Sequence, residues 1–350
     1  MQRKWVYGLV SPPVRGGKPS FTLAPKQAIV SSHRKTTMHV TKTKEYQKTE
    51  PIEVYLNRDG QNLYKISKTS FTFSAGERQV RLHDTPTSST DIIVDADIHS
   101  GESFAELLLT LSAIKDLPVL RSLQLNIPYL PYSRQDRQCA EGEAFSLRTF
   151  VKALAPYLDG VGDRVYTWDV HSHVANELFR TEIGCEFNNL QPQLFLQKFK
   201  DRGEEFSAKT IVIAPDKGAV ERATLVQQAL GLHSVVYATK VRNPEDGQIL
   251  RTEVPEDVSY KGKNLLIVDD ICDGGRTFIE LAKVLRQFDP SRIDLYVTHG
   301  IFSKGFKVFG GLIDNFHVAN LLPYKNFYQE LPSSLTYLRT ENYPTPRNQP

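Results

Sequence analysis

This 350-residue sequence predicts an α/β fold of two units, each a mainly parallel sheet flanked by helices. Three observations carry that expectation. From Pro51 onward, short apolar runs alternate with amphipathic helical stretches. Five of those runs lead directly into polar chemistry, at the carboxyl end where open α/β sheets bind ligands. The strand–helix rhythm then fills two stretches of similar size, residues 51–187 and 188–322, with no exact internal repeat.

Residues 1–50 stand apart, with ten lysines and arginines against two acids, while the other 300 residues hold 33 against 38. The segment is rich in Pro, Gly, Ser and Thr and only weakly periodic, so it reads as a disordered extension, or as leader sequence upstream of a start at Met38. A nucleic-acid-binding arm is the lesser reading of that charge. The first strand candidate, Ile92–Val94, runs into Asp95 and Asp97. A helix follows over Ser100–Leu117, with Ser100 as its cap and Phe104, Leu107, Leu108, Leu111 and Ile114 as one apolar stripe. Leu123–Ile127 leads to Arg134, Gln135 and Asp136, and Val165–Trp168 leads to Asp169 and His171. Ile211–Ala214 leads to Pro215 and Asp216, and Leu265–Val268 to Asp269 and Asp270. Residues 323–350 read as a short closing segment and a loose tail.

Composition removes several classes of function. No apolar run approaches the roughly 20 residues that span a bilayer, and the first residues lack a secretory apolar core. Cys139, Cys185 and Cys272 are far apart and form no CxxC pair, which argues against a disulfide framework and a zinc site and for a reducing, cytoplasmic setting.

The most specific segment is Asn264–Thr277, NLLIVDDICDGGRT. A buried strand ends in Asp269 and Asp270, then a glycine-containing loop (Asp273, Gly274, Gly275, Arg276) leads into a helix at Thr277. Such a loop offers backbone N–H groups and the positive end of a helix dipole to a phosphate. The glycines allow the anion a close approach, and Thr277 adds a hydroxyl. The two acids would repel a phosphate, so they call for another partner: vicinal ribose hydroxyls or a metal.

That segment resembles the phosphoribosyl-diphosphate motif shared by phosphoribosyltransferases and the ribose-phosphate diphosphokinases (PRPP synthetases). Five further segments resemble the second family. Phe73–Glu77 (FSAGE) looks like its FS(D/N)GE, Pro131–Arg137 (PYSRQDR) its PYARQDR, and Trp168–Ser172 (WDVHS) its DLHA or DVHS. Ala214–Arg222 is similar to its SPD-x-GG-x-x-R, and Thr298–Ser303 to its THGIFS. The resemblance covers about residues 51–325 in family order.

It implies two phosphoribosyltransferase-like domains, an ATP-binding one over 51–187 and a ribose-phosphate-binding one over 188–322. It also implies transfer of a diphosphate from ATP to the C1 hydroxyl of ribose 5-phosphate, with Mg²⁺ as cofactor and small-molecule substrates as partners. The family assembles as homo-oligomers, and neither membrane nor nucleic acid enters. By resemblance, Phe73, Glu77, Arg134, Gln135 and His171 surround ATP, and His171 and Asp216 hold the metal. Asp269, Asp270, Asp273, Gly274, Gly275, Arg276 and Thr277 take the ribose phosphate. Lys240 and Arg242 sit where the family has a mobile loop that closes over the reacting phosphates, and they join His171 as catalytic candidates.

Three departures stand out. Ala75 replaces a family Asp or Asn, and Val241 replaces a second basic residue. In the cradle, where the family reads D-T-x-G-T, Gly274 lacks the Thr hydroxyl and Arg276 adds a large cation. A 5-phosphate carrying a substituent, as in ADP-ribose, is therefore an alternative acceptor. A phosphoribosyltransferase and a silent regulatory subunit are the remaining alternatives.

Overall fold

The computed structural model describes residues 50–57, 63–160, 162–201, 203, 206–242, 249–322 and 331–338. The expected extension over 1–50 thus lies almost wholly outside the described residues, as do 323–330 and 339–350 of the expected tail.

The first half runs β1 (Ile52–Asn57), β2 (Leu63–Lys65), β3 (Lys68–Thr72), β4 (Arg78–Leu82), β5 (Thr90–Ala96), α1 (Gly101–Lys115) and β6 (Leu120–Ile127). It continues with α2 (Ser146–Leu154), β7 (Arg164–Trp168), α3 (Val174–Leu178) and β8 (Glu186–Leu190). Six of these strands form one sheet in the order β2-β1-β5-β6-β7-β8. β5 to β8 are parallel, and β1 lies antiparallel between β2 and β5. β8 pairs with β7 through Leu190, so the first sheet ends three residues beyond the boundary expected at 187.

The second half runs α4 (Pro192–Asp201), β9 (Thr210–Ala214), α5 (Val220–Leu230), β10 (Ser234–Tyr237), β11 (Thr239–Arg242) and β12 (Ile249–Glu253). Then come β13 (Asn264–Cys272), α6 (Arg276–Arg286), β14 (Arg292–Gly300), β15 (Asn315–Leu321) and β16 (Leu335–Tyr337). Its six-stranded sheet, β10-β9-β13-β14-β15-β16, is parallel throughout. Every residue of β9 is buried, as expected of a strand covered on both faces. Within the expected closing segment, Leu335–Tyr337 adds an edge strand beside β15.

Local chemistry explains the elements near the site. Ser100 accepts from the Ser103 N–H in a reciprocal capping box, which starts α1 where the sequence places it. Leu107, Leu111 and Ile114 are fully buried against the first sheet. The hairpin β3–β4 leans on α1 through a buried ion cluster: Glu106 binds the Lys68 ammonium and Ser70 on one oxygen and Arg78 on the other (Nη2, 2.5 Å). Trp168 at the end of β7 packs on Phe195 of α4, ring centroids 4.5 Å apart, so the two halves share apolar packing as well as polar bonds.

Candidate active site

β13 does not stop at Val268. It continues through Asp269 and Asp270 to Cys272 because β14 stays alongside, pairing Ile271 with His299 and Cys272 with Gly300. The two acids thus project from the strand itself, and the cradle loop begins at Asp273. Gly275 caps α6 in a left-handed conformation (φ 77°), and a side chain there would collide with the Phe309 ring. No side chain caps α6, which leaves its first N–H groups to an anion.

At the base of the site, Arg222 of α5 reaches three carboxylates. Its Nε bonds Asp169 Oδ1 and Oδ2 at 2.8 and 2.9 Å, its Nη1 lies 3.5 Å from Asp269 Oδ1, and its Nη2 3.9 Å from Asp270 Oδ2. Asp169 sits at the end of β7 with a left-handed backbone (φ 39°), a strained choice for a non-glycine residue. The Thr298 hydroxyl donates to the same carboxylate at 2.6 Å, so β7, α5 and β14 converge on one group. His299 adds a second link: its Nε2 donates to the Trp168 carbonyl at 2.9 Å while Asn320 faces its Nδ1 at 3.2 Å. Burial pushes the His299 pKa down, consistent with that neutral tautomer.

His171 Nδ1 lies 2.6 Å from Asp270 Oδ2. That bond raises the His171 pKa. Burial pushes Asp270 upward, but the His171 bond and the Arg222 charge outweigh it and hold its carboxyl well below the usual range. Asp269 goes the other way: burial, then the neighbouring Asp270 charge, push its pKa up. Two adjacent acids are thereby held in different protonation tendencies. With Nδ1 bound to a carboxylate, the imidazole presents Nε2 outward, the arrangement in which a carboxylate orients a metal-binding histidine.

These groups line a cleft of about 440 Å³. Of the residues singled out in the sequence, Arg134, His171, Asp216, Asp269, Asp270, Asp273, Gly274, Gly275, Arg276 and Thr277 all border it. Arg134 crosses to the cradle, its Nη1 3.1 Å from Asp273 Oδ2. Lys240 Nζ bonds Asp216 Oδ2 at 2.7 Å. The side chains of Val241 and Arg242 and residues 243–247 of the expected loop lie outside the described residues.

Phe73, Glu77 and Gln135 are not among the residues lining the cleft. Phe73 is 54% exposed on the turn between β3 and β4, edge-on to Phe71 at 5.0 Å. Sequence reasoning assigned no role to Arg222, Thr298 or His299. Arg222 closes the Ala214–Arg222 segment and the other two open Thr298–Ser303, so the signal was present as motif letters without a partner.

Among the described residues, no group of three or more His, Cys, Asp or Glu side chains is placed to cage a metal ion. His171 and Asp216 border one cleft, which suits an ion that takes most of its ligands from substrate phosphates and water. No described helix is long and apolar enough to cross a membrane, and all three cysteines are free.

Comparison with known proteins points one way. The N-terminal domain of ribose phosphate pyrophosphokinase matches residues 38–157, and the phosphoribosyl transferase domain matches residues 193–313. The chain is 34% identical over 256 residues to the ribose-phosphate pyrophosphokinase of Pyrococcus furiosus, spanning 72% of this chain and 84% of the relative. For the Pyrococcus abyssi counterpart the identity is 34% over 277 residues, 78% of this chain and 89% of the relative. The crystal structure of phosphoribosylpyrophosphate synthetase from Mycobacterium smegmatis shares the fold, with TM-score 0.62 and 22% identity over 78% of this chain and 86% of that one.

Proposed function

The chain belongs to the ribose-phosphate pyrophosphokinase family, and from that premise we propose how its cleft works. The reaction moves the diphosphate of ATP to the C1 hydroxyl of ribose 5-phosphate, giving phosphoribosyl diphosphate and AMP. One observation carries the local reading: a glycine-containing loop that opens an uncapped helix and an acid pair share one cleft with His171 and Asp216.

In this reading the N–H groups at the start of α6, with Thr277, hold the 5-phosphate. Asp269 and Asp270 accept hydrogen bonds from the ribose hydroxyls and fix the C1 hydroxyl. Arg134 reaches the phosphates of ATP. His171 and Asp216 would hold Mg²⁺, which would supply positive charge to the transferred oxygens. Lys240, with Arg242, meets the transferred group, and its bond to Asp216 keeps the ammonium beside the metal ligand. Alignment and charge supply the rate, since no covalent intermediate is needed. Phe73 and Glu77 act on adenine only if assembly or hairpin motion brings them to the cleft, which fits a homo-oligomer. The free cysteines fit a reducing, cytoplasmic setting.

ADP-ribose as acceptor draws no support from the comparisons, whose relatives are named for ribose-phosphate. An acceptor screen with Mg·ATP, read by product mass, tests the assignment. Ribose 5-phosphate is expected to gain two phosphates with release of AMP; no gain with ribose 5-phosphate refutes it.

A further inference from the structure

The two glycines of the cradle differ in what demands them. Gly275 is required, because its backbone is left-handed and a Cβ would strike Phe309. Gly274 is not. Its φ lies outside the left-handed range, and a Cβ there would meet Lys304 Cε at 3.6 Å, Lys304 Cδ at 3.8 Å and Ser303 Oγ at 3.9 Å, all ordinary contacts. Backbone and space would both admit a side chain at 274, yet the loop offers no side-chain donor there. The Lys304 stem runs alongside that place.

The turn that carries Lys304 is held to the loop. Ile301 and Phe302 both donate their N–H to the Cys272 carbonyl, at 2.8 and 3.0 Å, and Ser303 donates to Asp273 O at 3.2 Å. Phe302 is fully buried with a left-handed backbone (φ 46°) among Phe306, Phe309 and Phe316. A strained residue persists only where packing over-determines it, so the turn that carries Lys304 is fixed on the cradle. The lysine is exposed, forms no ion pair among the described residues, and is near enough for its charge to act on Asp273. An ammonium on a fixed turn beside open helix N–H groups is a phosphate ligand in waiting.

We propose that Lys304 binds the 5-phosphate of the acceptor, supplying from the end of β14 the donor that position 274 lacks. This rests on ribose 5-phosphate as the acceptor. Lysine meets phosphate as a point charge, so the contact tolerates small displacements that a hydroxyl would not.

The test uses the full chain with Mg·ATP, varying ribose 5-phosphate. Lys304→Ala is expected to raise KM for ribose 5-phosphate about tenfold or more, as loss of a charged hydrogen bond does, with KM for ATP unchanged within about twofold. Lys304→Arg should retain most of the affinity. Adding Gly274→Thr to Lys304→Ala should recover part of it by restoring a donor. Titration calorimetry with ribose 5-phosphate alone should show the same ranking without turnover, and the melting temperature should not move. An unchanged KM for ribose 5-phosphate in Lys304→Ala overturns the inference while the proposed function stands, and so does an equal rise in KM for ATP. A wild-type chain that ignores ribose 5-phosphate overturns both.

Discussion

The seam between the two sheets and the hairpin β3–β4 both carry family motifs, yet they are built in opposite ways. In the seam, buried Asp169 and Asp270 both pair with the half-buried Arg222, drawn from the end of β7, from β13 and from α5. On the hairpin, Phe73 and Glu77 stand exposed on the turn, while the strands beneath it are pinned to Glu106 of α1 from both ends, through Lys68 and through Arg78 beside the turn. Seam residues answer to folding and chemistry together, because each charge depends on a partner in another element. Hairpin residues answer to a ligand or a neighbour alone. Changes in the seam should therefore cost stability, and changes at the rim only kinetics.

The rim should show the largest effect. Among the described residues Lys240 pairs with Asp216, a half-exposed partner, so removing it leaves no buried charge behind. Interactions made with developing charge act on kcat, and Lys240→Ala should lower it about a thousandfold with little change in KM or melting temperature. Steady-state kinetics beside a thermal melt would show it; near-normal turnover removes Lys240 from the chemistry.

Arg222→Gln tests the other side. It leaves three carboxylates without their cation, and breaking a buried pair costs about 3–5 kcal/mol. Urea denaturation should report that loss, and a cost below about 1 kcal/mol would make the seam no more structural than the rim. Phe73→Ala should leave denaturation unchanged and raise KM for ATP about tenfold, the scale of one lost aromatic–base stack. A stability loss instead would place Phe73 in the core of some contact rather than at a binding edge.

The smallest effect is a pH signature. His171 has its pKa raised in the folded chain by Asp270. Its bond therefore stabilises fully below the unfolded value, about 6.5, and fades as pH rises through the folded value. In EDTA, His171→Asn should lower the melting temperature more near pH 6 than near pH 9. An equal loss at both would show that the imidazolium contributes nothing.

The comparison also explains what the sequence made legible. Strand ends and the cradle were readable because the backbone itself builds them: an apolar run, two acids, glycines, then an amphipathic helix. Asp269, Asp270 and Gly275 follow from local order. Arg222 and Thr298 do not, since their meaning is a shared bond to Asp169 across 53 and 129 residues of chain. The extension of β13 through Cys272 depends on β14 lying beside it, which no local pattern announces. β8 itself, with Asn188 and Asn189 in its middle, is too polar for an apolar run to mark it. Phe73 was legible as a motif residue, but not its distance from the cleft.

In the reaction proposed, both outer phosphates of ATP move together onto ribose 5-phosphate. ATP labelled at the β- and γ-phosphorus, incubated with Mg²⁺, ribose 5-phosphate and the full chain, tests this most directly. Both labels should appear in one product at C1, with unlabelled AMP formed in equal amount. Labelled ADP, or a single label on the sugar, would mean transfer of one phosphoryl group and would contradict the account.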